Sequence, residues 1–211
     1  MFHIGRGGPT ATACWGSAVT GIADGKLNAL RVHSLKAEGR LAPGTCLAFR
    51  VRTMPRAVVR DPFVVSTAEV AKAWSIGVRD GLLQPEVARV VHADAVELLS
   101  VDKPWNRCTD PGQAAVLSLA RAGCQLVKYN MLIDHRQREI DLEFFSPGAV
   151  CQAVRASACA ASDATALRRL GSPWVSEVHW GPVVSALSRT SELWTKRHVN
   201  AFRSVNCGAH W

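Results

Sequence analysis

The acids best placed for chemistry are Glu139, Asp141 and Glu143, with Asp134 just upstream. Two-metal polymerases and nucleases need carboxylates converging on ions about 4 Å apart. Spaced at i, i+2 and i+4, these three share one face of an extended strand opposite Ile140, Leu142 and Phe144, which is how the solvent face of a half-buried strand reads. Nothing in the sequence folds a second acidic element over them, and the single tyrosine, Tyr129, is followed by Asn130-Met131-Leu132 rather than by paired aspartates. Seven cysteines, at 14, 46, 108, 124, 151, 159 and 207, accompany seven histidines. Odd in number and without a Cys-X-X-Cys pair, they indicate neither a disulfide framework nor a zinc knuckle, and read as reduced, mostly buried small apolar residues. Cys207 and His210 come nearest to a metal pair and would need two further ligands. A Cys–His nucleophile would have to be assembled in three dimensions, since no local signature marks one. His92 and His179 lie in apolar surroundings and read as satisfied core or boundary histidines. Gly5-Arg-Gly-Gly8 lacks the strand, lysine and helix of a phosphate loop. No catalytic residue, metal ligand or cofactor is assigned.

Cations and aromatic rings offer a different chemistry. The net charge is +8, and it is uneven: residues 1–60 carry nine Lys/Arg against two acids, 61–150 carry nine against twelve, and 151–211 carry seven against three. Two basic ends flank a mildly acidic middle, an arrangement that tracks a phosphate backbone if both ends fold onto one face, each neutralised phosphate releasing condensed counterion. The candidate contacts are Lys26, Arg31 and Lys36 at one end and Trp194, Lys196, Arg197 and Arg203 at the other. With His198 and Trp211, the second group sets cationic groups beside flat rings, the chemistry that RNA and single-stranded DNA use for stacking and phosphate contact. The plainer alternative is a solvated basic surface with tryptophans in the core.

The elements that must position these residues read as mainly α with one β-hairpin, an α+β chain with an irregular N-terminal segment. Residues 1–60 form a basic segment with one helix, from Lys26 to about Glu38, with Leu27, Leu30 and Leu35 on one side and Gly39 as its stop. The stretch Gly44 to Val51 is a short strand or a buried helical piece. In 61–109, Asp61-Pro62 punctuates, and Ser66 to Glu69 has the spacing of a capping box before a helix to about Asp80. A second helix follows from Pro85 to about Leu99 with Val87, Val90, Val91, Ala95 and Leu98 as its apolar stripe, and then a linker holding Trp105. In 110–145, Asp110-Pro111 opens a helix that Gly123 ends, and a hairpin with its tip at Asp134 to Arg138 follows. Its inward face is expected to carry Tyr129, Met131 and Ile133, or their one-residue-shifted neighbours. In 146–211, Ser146-Pro147 opens a helix of about twenty-four residues, with a break foreseen near Ser162-Asp163; Pro173 and Gly181-Pro182 interrupt, and a last helix spans Val183 to about Val205.

The order of these motifs resembles the region downstream of the reverse-transcriptase domain in the non-LTR (LINE-like) retroelement polyproteins abundant in dinoflagellates. It runs from Trp15-Gly16 and the basic helix of Lys26 to Lys36, through Pro43-Gly44, Asp61-Pro62 and Trp74, to the helix and hairpin unit. A basic helix with Trp194 and Arg197 and a Gly208-Ala209-His210-Trp211 end complete it, so that the resemblance covers about Trp15 to Trp211. The chain departs from it at Cys124, where the family has Trp, and in having no Cys-X-X-Cys knuckle. The resemblance implies a piece of a larger polyprotein whose metal-binding aspartates and endonuclease residues belong to other domains. It carries no functional residue over to this chain.

The expected function is thus a non-catalytic accessory segment that contacts RNA or single-stranded DNA by its backbone, with the rest of the polyprotein as a further partner. The alternative is a structural or interaction domain, or a non-functional remnant of such an element, and a Cys–His hydrolase comes third. No stretch approaches the roughly 18 uncharged apolar residues of a membrane span, and no secretory apolar region opens the chain, so no membrane partner and no secretion are expected. The acid-poor, Ser/Thr/Ala-rich beginning is a composition that organellar presequences share.

Overall fold

The computed structural model describes residues 14, 16–37, 45–52, 61–170, 180–188 and 194–206, the side chains of 49, 169, 170, 188 and 203–206 excepted. The described residues form a mainly α-helical fold with one small antiparallel sheet: α1 (Ser17–Thr20), α2 (Asp24–Ala37), α3 (Leu47–Arg52), α4 (Pro62–Arg79), α5 (Pro85–Leu98), a 3₁₀ turn (Pro104–Asn106), α6 (Pro111–Arg121), β1 (Gln125–Lys128), β2 (Met131–Ile133), β3 (Glu139–Asp141), α7 (Pro147–Leu170), α8 (Trp180–Ser188) and α9 (Lys196–Asn206). The glycine-rich run Gly5 to Gly8, Trp15, Gly39, Pro43-Gly44, Pro173, His179 and the end from Cys207 to Trp211 lie outside the described residues.

The long central helix α4 begins earlier than expected. Asp61 is its N-cap, accepting from the Phe63 N–H at 3.1 Å, and Pro62 occupies the first turn, where a missing N–H is harmless. Ser66 is therefore a helix-interior residue whose hydroxyl donates to Phe63 O, and the capping-box reading of Ser66 to Glu69 does not hold. Helix α5 turns a narrower stripe inward than expected. Ala88 and Ala95 are buried with Val91 packed against the core, while Val87 and Val90 are 51% and 62% exposed. Small alanines let α5 lie close on α6, and Gly112 in the first turn of α6 faces Val91 so tightly that an added Cβ would sit 1.9 Å from its Cγ1.

The unit from Asp110 to Phe145 follows its caps. Asp110 accepts from the N–H groups of Gly112 (2.8 Å) and Gln113 (2.9 Å), and Gln113 reaches back to the Thr109 N–H (2.8 Å). At the other end Gly123, at φ 74°, closes a Schellman turn in which Cys124 N–H donates to Leu119 O and Gly123 N–H to Ala120 O. Beyond it the hairpin is in fact a three-stranded antiparallel meander, because Tyr129-Asn130 turns the first expected strand back on itself. That turn places Leu126 opposite Leu132, and Leu132 opposite Ile140. Leu126, Leu132, Ile140 and Leu142 face the core, which is the one-residue-shifted register, and Phe144, expected inside, is 83% exposed. Trp74 Nε1 donates to Tyr129 O at 2.8 Å and His92 Nε2 to Leu126 O at 2.6 Å, locking the sheet to α4 and α5.

Helix α7 runs unbroken through Ser162-Asp163. Its first half, Val150 and Val154, belongs to the core under the sheet, and Ala158 joins a second cluster with Cys14, Ile22, Leu27, Phe63, Val64 and Ala122. Gly181-Pro182 does not interrupt the chain there either: it lies in the first turn of α8, where a missing N–H costs no intrahelical bond.

Candidate nucleic-acid interface

Helix α2 sorts its cations by position. Arg31 lies four residues from Leu27 and four from Leu35, both buried, and so on the inward face. There its guanidinium makes a two-pronged bridge to Asp61, Nε to Oδ1 and Nη2 to Oδ2, each 2.9 Å, over the Phe63 ring. The Arg31 and Asp61 side chains are 11% and 1% exposed. Arg31 is thus withdrawn from the candidate contacts, because its charge is spent inside the fold. Lys26 and Lys36 are exposed, and His33, seven residues from one and three from the other, stands exposed between them on the same face. His33 is not among the expected contacts, and its spacing from the two lysines is the one signal in the sequence that marks it.

Two more arginines are held inside the fold. Arg52 bridges Asp163 on α7 at 2.8 and 3.0 Å and stacks over Trp180, and Arg121 donates to Asp24 Oδ1 (2.8 Å) and Ile22 O (2.7 Å) between the Phe63 and Trp105 rings. Burial lowers the Arg121 pKa, with Asp24 opposing the shift. Arg31 and Arg52 make the planar, two-pronged pairs with aromatic backing for which arginine is suited over lysine, whereas Arg121 bonds through Nη1 alone. They fasten α2 and α3 to the central helices.

At the other end, Trp194 is a packing residue. Its Nε1 donates to Ala186 O at 2.7 Å, and its ring stacks on His198 and meets Phe202 edge-on, joining α9 to α8. Lys196 and Arg197 are exposed, and the Arg203 side chain lies outside the described residues. The two basic helices are tied to the C-terminal half of α7 only through intermediaries. Helix α2 rests on α3, α3 on α7, and Trp180 of α8 packs with Cys46, Ala48 and Ala166. Ala166 is twelve residues beyond Val154, roughly 18 Å along the helix from the half that supports the sheet. The outward acids Glu139 and Glu143 are on that far sheet.

The remaining chemistry-bearing groups are engaged structurally. Asp134 is fully buried and accepts from the Arg136 and Arg138 backbone N–H groups and from the Arg138 guanidinium. Burial raises its pKa, but these donors outweigh it and hold the carboxyl below its usual range. Asp141 caps the Glu143 N–H, and Glu143 accepts from Asn130 Nδ2 at 2.9 Å. Cys124, Ser157 and His135 lie together, with His135 Nδ1 2.9 Å from Ser157 Oγ. Burial pushes the Cys124 thiol up to about 11, with the Ser157 hydrogen bond opposing, so almost none of it is thiolate at neutral pH. No group of three or more potential metal ligands comes together among the described residues, and no described helix is long and apolar enough to cross a membrane.

No family model, curated protein or solved structure matches the chain.

Proposed function

We propose that this chain is a non-catalytic, nucleic-acid-contacting accessory segment, working by electrostatic contact with the backbone of RNA or single-stranded DNA. The observation that carries this reading is that Lys26, Lys36, Lys196 and Arg197 stay exposed on α2 and α9, which are tied through α3 and α8 to the C-terminal half of α7, while the sheet with its outward acids packs on the first half. Its place downstream of a reverse-transcriptase domain rests on the ordered resemblance. Translating the flanking genomic DNA tests that part: an upstream reverse-transcriptase palm and a downstream Cys-X-X-Cys knuckle are expected, and an unrelated frame refutes it. Salt-dependent retention of RNA by the purified chain tests the contact itself.

A second reading, an interaction domain without a nucleic-acid role, is favoured by a different observation. Val19, Leu82 and Val87 are exposed around a single apolar groove.

A further inference from the structure

Helices α4 and α5 are joined by the short turn 80–84, yet they diverge from it and pack on α6 rather than on one another. Leu83 closes the apex of the V, lying so near Gly77 that an added Cβ there would meet its Cδ1 at 2.8 Å. Val91 over Gly112 closes the floor. Between the arms remains an open groove of about 380 Å³, walled by Val70, Trp74, Gly77, Val87 and Val91 and extended by Val19 of α1 and Leu82 of the turn. Leu82 is 74% exposed, Val19 55% and Val87 51%. Exposed large apolar side chains gathered on one concavity mark a binding surface more than a surface accident.

The charges beside the groove are mainly acidic. On its two helical walls and at the start of the turn between them, the acids Glu69, Asp94 and Asp80 stand three or four residues from lining residues, namely Ala73, Val91 and Gly77. Lys72 and Arg89 stand at no such spacing from a lining residue, and Arg89 is turned to the sheet, its guanidinium 5.5 Å from the centre of the Tyr129 ring; Arg79, three and four residues before Leu82 and Leu83, is the one cation so spaced on these two helices. A groove with apolar walls and an anionic rim, on a chain that is cationic overall, fits an apolar helix face flanked by cations.

We propose that this groove docks an amphipathic helix of a partner protein, its apolar side on Trp74, Val87 and Val91 and its flanking lysines or arginines against Glu69, Asp80 and Asp94. This site is separate from the basic helices and stands whether or not they bind nucleic acid.

The test uses the full chain and a fluorescent peptide of about fourteen residues, four helical turns, with leucine at i, i+3, i+4 and i+7 and lysine on the flanks. A second peptide carries glutamate at every lysine position. The lysine peptide is expected to bind, and the glutamate peptide to bind roughly tenfold more weakly or not at all. Val87→Lys, at a half-exposed position that leaves the core intact, is expected to abolish binding without lowering the melting temperature. Glu69→Gln with Asp94→Asn weakens it and flattens its salt dependence, while Lys26→Gln with Lys36→Gln leaves it unchanged. Equal binding of both peptides, no binding, or full binding by Val87→Lys overturns the proposal. A dimer of the chain that Val87→Lys dissolves also overturns it, assigning the groove to a second copy.

Discussion

Asp61 does two things with one buried carboxylate: it caps α4 and pairs with Arg31. Removing one partner of such a pair leaves the other charge buried and uncompensated, a loss of about 3–5 kcal/mol. Asp61→Ala and Arg31→Gln are therefore each expected to lower unfolding stability on that scale, and denaturant titration measures it; losses under 1 kcal/mol, the range of exposed pairs, would contradict the buried bridge. Asp134 makes a pH prediction. Its pKa is depressed in the fold, so the unfolded chain binds its proton first, and the stabilisation it provides is complete above the ordinary carboxylate range and drains away as pH falls from about 4 through the folded value. Asp134→Asn should destabilise at neutral pH and lessen the acid sensitivity of unfolding; an unchanged acid limb would refute this. At this scale the sequence was partly legible. The four-residue steps from Leu27 to Arg31 to Leu35 mark Arg31 as inward, but the acid that meets it is thirty residues away and no local pattern announces it.

Among the elements, those with local signals could be read. Caps on both ends of α6, proline in the first turns of α4, α5 and α7, and glycine at the Schellman turn are backbone chemistry written into neighbouring residues. The sheet register could not be read, because the run Leu126 to Ile133 offers apolar residues in both phases and only the Tyr129-Asn130 turn chooses between them. The stripe of α5 misled for a related reason. Valines outrank alanines in hydropathy, but the close approach to α6 buries Ala88 and Ala95, admits Val91 only opposite Gly112, and leaves Val87 and Val90 outside. Gly112→Ala tests that approach. The added methyl must displace the stiff, β-branched Val91, which is expected to cost about 1–3 kcal/mol. Val91→Ala in the same chain should recover part of the loss, giving a coupling that denaturant titrations of the double-mutant cycle read directly. Independent, additive effects would mean that α5 does not cross α6 at this point.

Over the whole molecule, the count of charges foretold basic ends and an acidic middle, but not which charges are free. Arg31, Arg52 and Arg121 are consumed in bridges that hold the fold together, and Trp194 packs one helix on another, whereas Lys26, Lys36, Lys196 and Arg197 remain exposed. We propose that this exposed set, and not the total charge of +8, meets a phosphate backbone. The measurement that tests it is the salt dependence of RNA or single-stranded DNA affinity for the purified chain. The wild-type chain is expected to lose on the order of tenfold or more between about 50 and 200 mM salt. Changing Lys26, Lys36, Lys196 and Arg197 together to Gln should flatten that slope while the melting temperature stays in place, and changing Glu139, Asp141 and Glu143 to their amides should not weaken binding. A salt-independent affinity, no retention at low salt, or a slope that survives the fourfold Gln substitution would contradict the claim.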